Sequence, residues 1–167
     1  MSKSGLSIPG RTSRREWLLA AASLFAVVAV PSIGSASRRT PKLAVKLAMK
    51  RNPGCGCCVG WADHMRAAGF EIEMVDHPKL NEFKAGLGVP TELYGCHTSE
   101  GEGYVFEGHI PAPVIQRFLR ERPAAKGIAV AGMPAGSPGM ESSNPEAYDV
   151  VAWDGNKTWV FEKIAAG

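Results

Sequence analysis

The sequence predicts an α/β domain in which a central mixed sheet is flanked by helices and a further hairpin ends the chain. Three observations carry that expectation. Short segments with apolar residues at every second position alternate with segments whose apolar residues recur at helical spacing. Three cysteines, Cys55, Cys57 and Cys58, crowd the turn between the first such strand and the first helix. A Gly88-Val89-Pro90-Thr91 segment then leads toward the fourth cysteine, Cys96, and the following strand.

The elements follow in order. Leu43 to Lys50 alternates, with Val45, Leu47 and Met49 on one face and Lys46, Ala48 and Lys50 on the other. Arg51-Asn52-Pro53-Gly54 reads as a turn. Cys58, Trp61, Ala62, Met65 and Ala68 recur as on one face of a helix, which Gly69 closes. Phe70 to Val75 is a second strand, and Leu80 to Ala85 a short helix ending at Gly86. Cys96-His97 is expected in a loop, Tyr104 to Glu107 in a strand, and Gly101-Glu102-Gly103 in a turn. Gly108-His109-Ile110-Pro111 turns into a helix over Pro113 to Glu121, with Pro113 in the favoured first turn. Gly132 to Glu141 is a Gly/Pro/Met loop, and Tyr148 to Ala152 with Thr158 to Glu162 forms a terminal hairpin around Asp154-Gly155. This order is that of a thioredoxin-like domain. In such a domain Pro90 is a candidate for a cis bond, with a plain surface turn as the alternative.

The N-terminus is of another kind. Lys3 and Arg11 precede Ser13-Arg14-Arg15-Glu16, an apolar run follows to Val30, and small residues surround a cut before Ser37. Residues 1–36 therefore read as a secretory signal of twin-arginine type, 37–42 as a linker and 43–167 as the domain. An uncleaved anchor is the alternative, but the run is shorter than the ~20 residues a spanning helix needs. Taking four basic residues and one acidic residue away with the signal leaves 15 of each sign from the original 19 and 16. A neutral mature chain, with no basic patch interleaved with aromatics, argues against nucleic acid, and no later stretch suits a membrane. About 130 mature residues bury a core without disulfides, which leaves the sulfurs free for chemistry in an exported, periplasmic protein.

Cysteines this close together suit a soft metal ion or a redox centre better than a structural staple. With Cys55 at the helix start and Cys57 and Cys58 in its first turn, free N–H groups and the helix dipole stabilise thiolates. Cys55 and Cys58 have the spacing of a thiol–disulfide pair, Cys55 attacking and Cys58 resolving. Cys57 and the Cys96-His97 pair have no place in such a switch. Four sulfurs with an imidazole favour copper(I), with zinc second. Two structural disulfides are the remaining alternative.

His97 is the best imidazole ligand, and His109 is divided between supporting the site and stabilising its turn. His64 is expected to be solvated or packed, and His77 to lie on a surface loop. Met133 and Met140 bracket a loop where a thioether either helps hold copper(I) or packs on the core. Met49, Met65 and Met74 sit at core spacing. No Ser-His-Asp order, phosphate-cradling loop or carboxylate pair stands out.

Lys50 to Cys58, Leu87-Gly88-Val89-Pro90, Cys96-His97-Thr98, Gly108 to Ala112 and Gly132 to Glu141 together resemble the CopG-type periplasmic copper-resistance proteins. The resemblance spans nearly the whole mature chain. It implies a thioredoxin-like fold, copper bound through Cys55, Cys57, Cys58 and Cys96, and a place among copper-handling proteins of the bacterial envelope. His97, His109, Met133 and Met140 match the family's other characteristic positions. Thr91 to Gly95 departs from it, since relatives more often carry Ser directly before the cysteine. The expected function is copper(I) binding in copper resistance, with a thiol or copper-dependent oxidoreductase as the alternative.

Overall fold

The computed structural model describes residues 44–167. The signal expected over residues 1–36, the linker over 37–42 and Leu43 lie outside the described residues. Strand β1 (Lys46–Arg51) buries Leu47 and Met49 and turns Lys46 and Ala48 outward, as a half-buried strand requires. It pairs in parallel with β2 (Glu71–Asp76), and helix α1 (Gly56–Ala67) makes the crossover. Cys58, Trp61, Ala62 and Met65 form the buried stripe of α1, and Gly69, at φ +91°, takes the left-handed turn that ends it.

Helix α2 (Leu80–Gly86) and one 3-10 turn over Thr91–Leu93 lead to β3 (His97–Gly101), which runs antiparallel to β1. Strand β4 (Tyr104–Glu107) folds back on β3, and α3 (Ala112–Glu121) follows. Strand β5 (Gly127–Ala129) then lies parallel to β4, and the antiparallel pair β6 (Tyr148–Trp153) and β7 (Thr158–Ile164) completes a seven-stranded mixed sheet in the order β2-β1-β3-β4-β5-β6-β7. Among the described residues, no helix is long and apolar enough to cross a membrane.

The sheet is covered on both faces. Phe106, Ile128 and Ala152 point into one cluster with Trp61 and Phe118, while Val105, Ala129 and Trp153, opposite in phase, join Val89 and Leu93 in a second.

Four details differ from expectation. His97 opens a strand instead of lying in a loop, because the polar run His97 to Glu100 is paired on both sides, by β1 and β4. Strand β5 is three residues long, too short to display a period. That strand links the terminal hairpin into the main sheet, so the hairpin is no appendage. Among the described residues every peptide bond is trans, Pro90 included, and that residue precedes the 3-10 turn.

Candidate metal centre

The β1–α1 junction positions three of the four sulfurs. Gly54, at φ +76°, turns the chain, and Cys55 becomes the extended N-cap of α1. Arg51 at the end of β1 holds that cap, donating through Nη1 to the Cys55 carbonyl at 2.7 Å while its Nε donates to Asp76 at 2.8 Å. Cys57 and Cys58 fall in the first turn, where backbone N–H groups lack intrahelical partners and the helix dipole favours negative charge.

Cys96 arrives from the segment entering β3. Its sulfur stands 2.9 Å from that of Cys55, 3.2 Å from that of Cys57 and 3.3 Å from that of Cys58. All four sulfurs lie within 4.8 Å of one another. Cys55 and Cys58 are joined in a disulfide, while Cys57 and Cys96 are free thiols. Burial, followed by the neighbouring Cys57, pushes the Cys96 thiol up to about 12, so it remains protonated near neutrality.

This donor set fits a soft cation. Thiolates bonded at ~2.3 Å around a tetrahedral ion stand about 3.8 Å apart, so the contacts to Cys96 need lengthen by less than about 1 Å. The disulfide must first be reduced, since only a thiolate ligates.

The two expected imidazoles are brought together as well. His97 is fully buried against the Trp61 ring, 4.3 Å between centroids, and 5.0 Å from the His109 ring. Both ring nitrogens of His97 lack a hydrogen-bond partner. Burial holds its imidazole well below the usual histidine range, with the charges of His109 and Lys84 acting in the same direction. His109 is lowered too, by burial. Its Nδ1 lies 2.7 Å from the Pro138 carbonyl, an acceptor, so the proton resides on Nδ1 and the unpartnered Nε2 keeps its lone pair. Neutral imidazoles with free lone pairs are ligand-ready.

The Gly132–Glu141 loop folds over this region. Gly139 sits against the first turns of α1, where an added Cβ would come within 2.6 Å of the Trp61 nitrogen. The next residue, Met140, is half-buried. Gly132 forms a parallel bridge with Gly95, which sets Met133 and Cys96 at neighbouring register positions, and Met133 is 54% exposed. Of the other histidines, His64 is packed: its Nε2 accepts the Ala112 N–H at 3.0 Å. His77 lies in the loop after β2, as expected, and is half-buried beside Phe83, 5.3 Å between ring centroids.

One group escaped the sequence reading. Lys84 and Glu107 form a buried ion pair directly behind Cys96. The signal was available: Lys84 follows Leu80 by four residues on α2, and Glu107 is in phase with Val105 on β4, so each charge occupies an apolar position.

A family model described as a protein of unknown function, DUF411, matches residues 93–140, the stretch from the Cys96 loop to Met140. No curated protein matches the chain. Among solved structures, one titled "Copper resistance protein copG- Form 1" matches with 37% identity and a TM-score of 0.69, over 73% of this chain and 98% of that one. Its Form 2 matches at the same identity and TM-score, over 72% and 98%. The chain belongs to the CopG copper-resistance family. Within this CopG-type chain the family model's stretch includes Cys96, His97, His109, Met133 and Met140, whereas Cys55, Cys57 and Cys58 lie upstream of it.

Proposed function

We propose that this protein is exported to the periplasm by its twin-arginine signal and binds copper(I) as cargo in copper resistance. Cys55, Cys57, Cys58 and Cys96 are the ligands, with His97, His109, Met133 and Met140 assisting. The observation that carries the reading is Cys96, brought from 38 to 41 residues away in sequence to within 2.9–3.3 Å of three other sulfurs. Soft thiolates select copper(I), and zinc is the second choice for the same set. The copper-resistance titles of the solved relatives support copper. Exposed Met133, beside Cys96 in register, is suited to receive copper(I) from another envelope copper-handling protein. A thioredoxin-like assignment of residues 43–167 is supported by the β2-β1-β3-β4 strand order and by α1 carrying the cysteines at its start.

The Cys55–Cys58 disulfide favours a second reading, a thiol oxidoreductase. Here a partner's dithiol gives up two electrons and two protons through a mixed disulfide, leaving Cys55 and Cys58 as thiols and the partner oxidised.

The test is copper(I) stoichiometry and affinity of the reduced mature protein, measured by competition with a chromophoric chelator. Binding at the sulfur site predicts that Cys57→Ser weakens affinity at least ~10-fold, while a Cys55/Cys58 switch tolerates that change. No copper(I) binding by the parent, with insulin reduction intact in Cys57→Ser, would instead establish the oxidoreductase.

A further inference from the structure

Two charged side chains that metal binding does not use are withdrawn from water: Lys84 is 1% exposed and Glu107 0%. They come from α2 and β4 and pair directly. Removing both charges from solvent costs more than their attraction reliably returns, and apolar residues of similar volume often stabilise a fold as well or better. The burden is shifted further against the carboxylate by burial, which raises the Glu107 pKa despite three neighbouring donors.

The other bonds of the pair indicate its purpose. Lys84 Nζ donates to the Gly95 carbonyl at 2.8 Å, and Glu107 Oε1 accepts the Gly95 N–H at 2.7 Å. Glu107 Oε2 accepts the Thr98 hydroxyl at 2.6 Å. Both backbone polar groups of Gly95 are thus held by the pair, and Thr98 is held by the same carboxylate. Cys96 and His97 are the two residues between those anchors. Gly95 is also confined sterically, since a Cβ there would stand 2.7 Å from Gly108 Cα and 3.0 Å from the Val130 oxygen.

We propose that the buried Lys84–Glu107 pair is the positioning device of the sulfur site, clamping Gly95 and Thr98 so that the Cys96 sulfur stays against those of Cys55, Cys57 and Cys58. Lys84 and Glu107 are positioning residues, acting through Cys96. The proposal rests on the four-sulfur metal reading for its affinity arm, and on geometry alone for its metal-free arm.

The experiment compares the parent, Lys84→Met/Glu107→Leu, Cys96→Ser and the triple variant. Copper(I) affinity is read by chelator competition, and Cys96 reactivity by its iodoacetamide alkylation rate in the reduced, metal-free protein. Thermal melts report the fold. The apolar pair removes the partners of the Gly95 N–H and carbonyl and of the Thr98 hydroxyl, so it is expected to melt below the parent. It is also expected to bind copper(I) about 10-fold more weakly and to alkylate Cys96 about 10-fold faster, within the range of coupling between contacting groups. In the Cys96→Ser background the same replacement costs no further affinity. An unchanged alkylation rate, or an equal affinity loss in both backgrounds, overturns the proposal. Should the apolar pair fail to fold, Thr98→Val keeps both charges and is expected to shift both readouts about threefold in the same directions, and no shift overturns the clamp. A parent that binds no copper(I) sinks the metal reading, while the alkylation rate still decides the clamp.

Discussion

Gly139 leaves almost no space between the Pro138–Met140 loop and the start of α1. It takes φ +82°, a region costly for any residue with a side chain, and an added Cβ would lie 2.5 Å from the Cys57 carbonyl and 2.6 Å from the Trp61 nitrogen. Both neighbours are helix backbone and cannot swing aside. Gly60 faces it across the contact, where a Cβ would meet Gly139 Cα at 3.0 Å. Gly139→Ala is therefore expected to lift the loop away from α1 and to destabilise the fold by about 1–3 kcal/mol. It should also release the Pro138 carbonyl from His109 Nδ1, now 2.7 Å away. Denaturant melts measure the first effect and His109 proton resonances the second. An alanine variant with parental stability and an unchanged His109 signal would contradict this account. At Gly132, where nothing lies within 4 Å of an added Cβ but φ is +67°, alanine is expected to meet the conformational strain without the clash.

At the scale of elements, α3 is joined to α1 by a titrating contact. The N-terminal N–H groups of a helix need acceptors, and the Ala112 N–H of α3 finds one in His64 Nε2 of α1. Burial lowers the His64 pKa, partly opposed by the Glu141 charge. A histidine whose folded pKa lies below its unfolded value of ~6.5 lends stability that is complete above that pH and is lost as pH falls toward the folded pKa. Protonation places a hydrogen on Nε2, which then faces the Ala112 N–H as a second donor. His64→Gln keeps an acceptor that does not titrate in this range. The melting temperature of the parent is thus expected to fall more between pH 7 and pH 5 than that of His64→Gln. Equal slopes would show that this imidazole is not the acid-sensitive link. Apolar spacing made α1, α3 and strands β1, β2, β4, β6 and β7 readable in the sequence, and Gly86 marked the end of α2. Strand β3 was not readable, since Thr98 and Ser99 are buried polar residues and one of the two strands that enclose it, β1, is remote in sequence. The clustered cysteines announced themselves by spacing, and His97 by standing next to Cys96, whereas His109, Met133 and Met140 stand out as a set only through the family resemblance. The Lys84–Glu107 pair left a weaker trace, one charge at an apolar position on each of two elements, and nothing in the sequence joined the two.

At the scale of the whole molecule, the four-sulfur cluster depends on strands that supply none of its residues. Val130, just beyond β5, places its carbonyl against Gly95 and Gly108, and its own N–H donates to the Glu107 carbonyl at 2.9 Å. β5 in turn is held by β6, where Gly127 pairs with Trp153 and Lys126 donates to the Trp153 carbonyl at 2.7 Å. Gly127 is required there, for a Cβ would stand 2.6 Å from the Trp153 ring. Trp153 is fully buried in the second core cluster with Val89 and Leu93, which flank the segment leading to Cys96. The terminal hairpin is therefore part of the support for the sulfur site and should unfold with it. Trp153→Ala removes a large buried side chain and is expected to cost about 3–5 kcal/mol, lowering the melting temperature by roughly 10 °C or more for a domain of this size. Calorimetry on the reduced, metal-free protein should show one transition displaced to lower temperature. If instead the main transition keeps the parental temperature and a second, smaller one separates below it, the hairpin melts alone and β5 does not transmit its stability to Gly95.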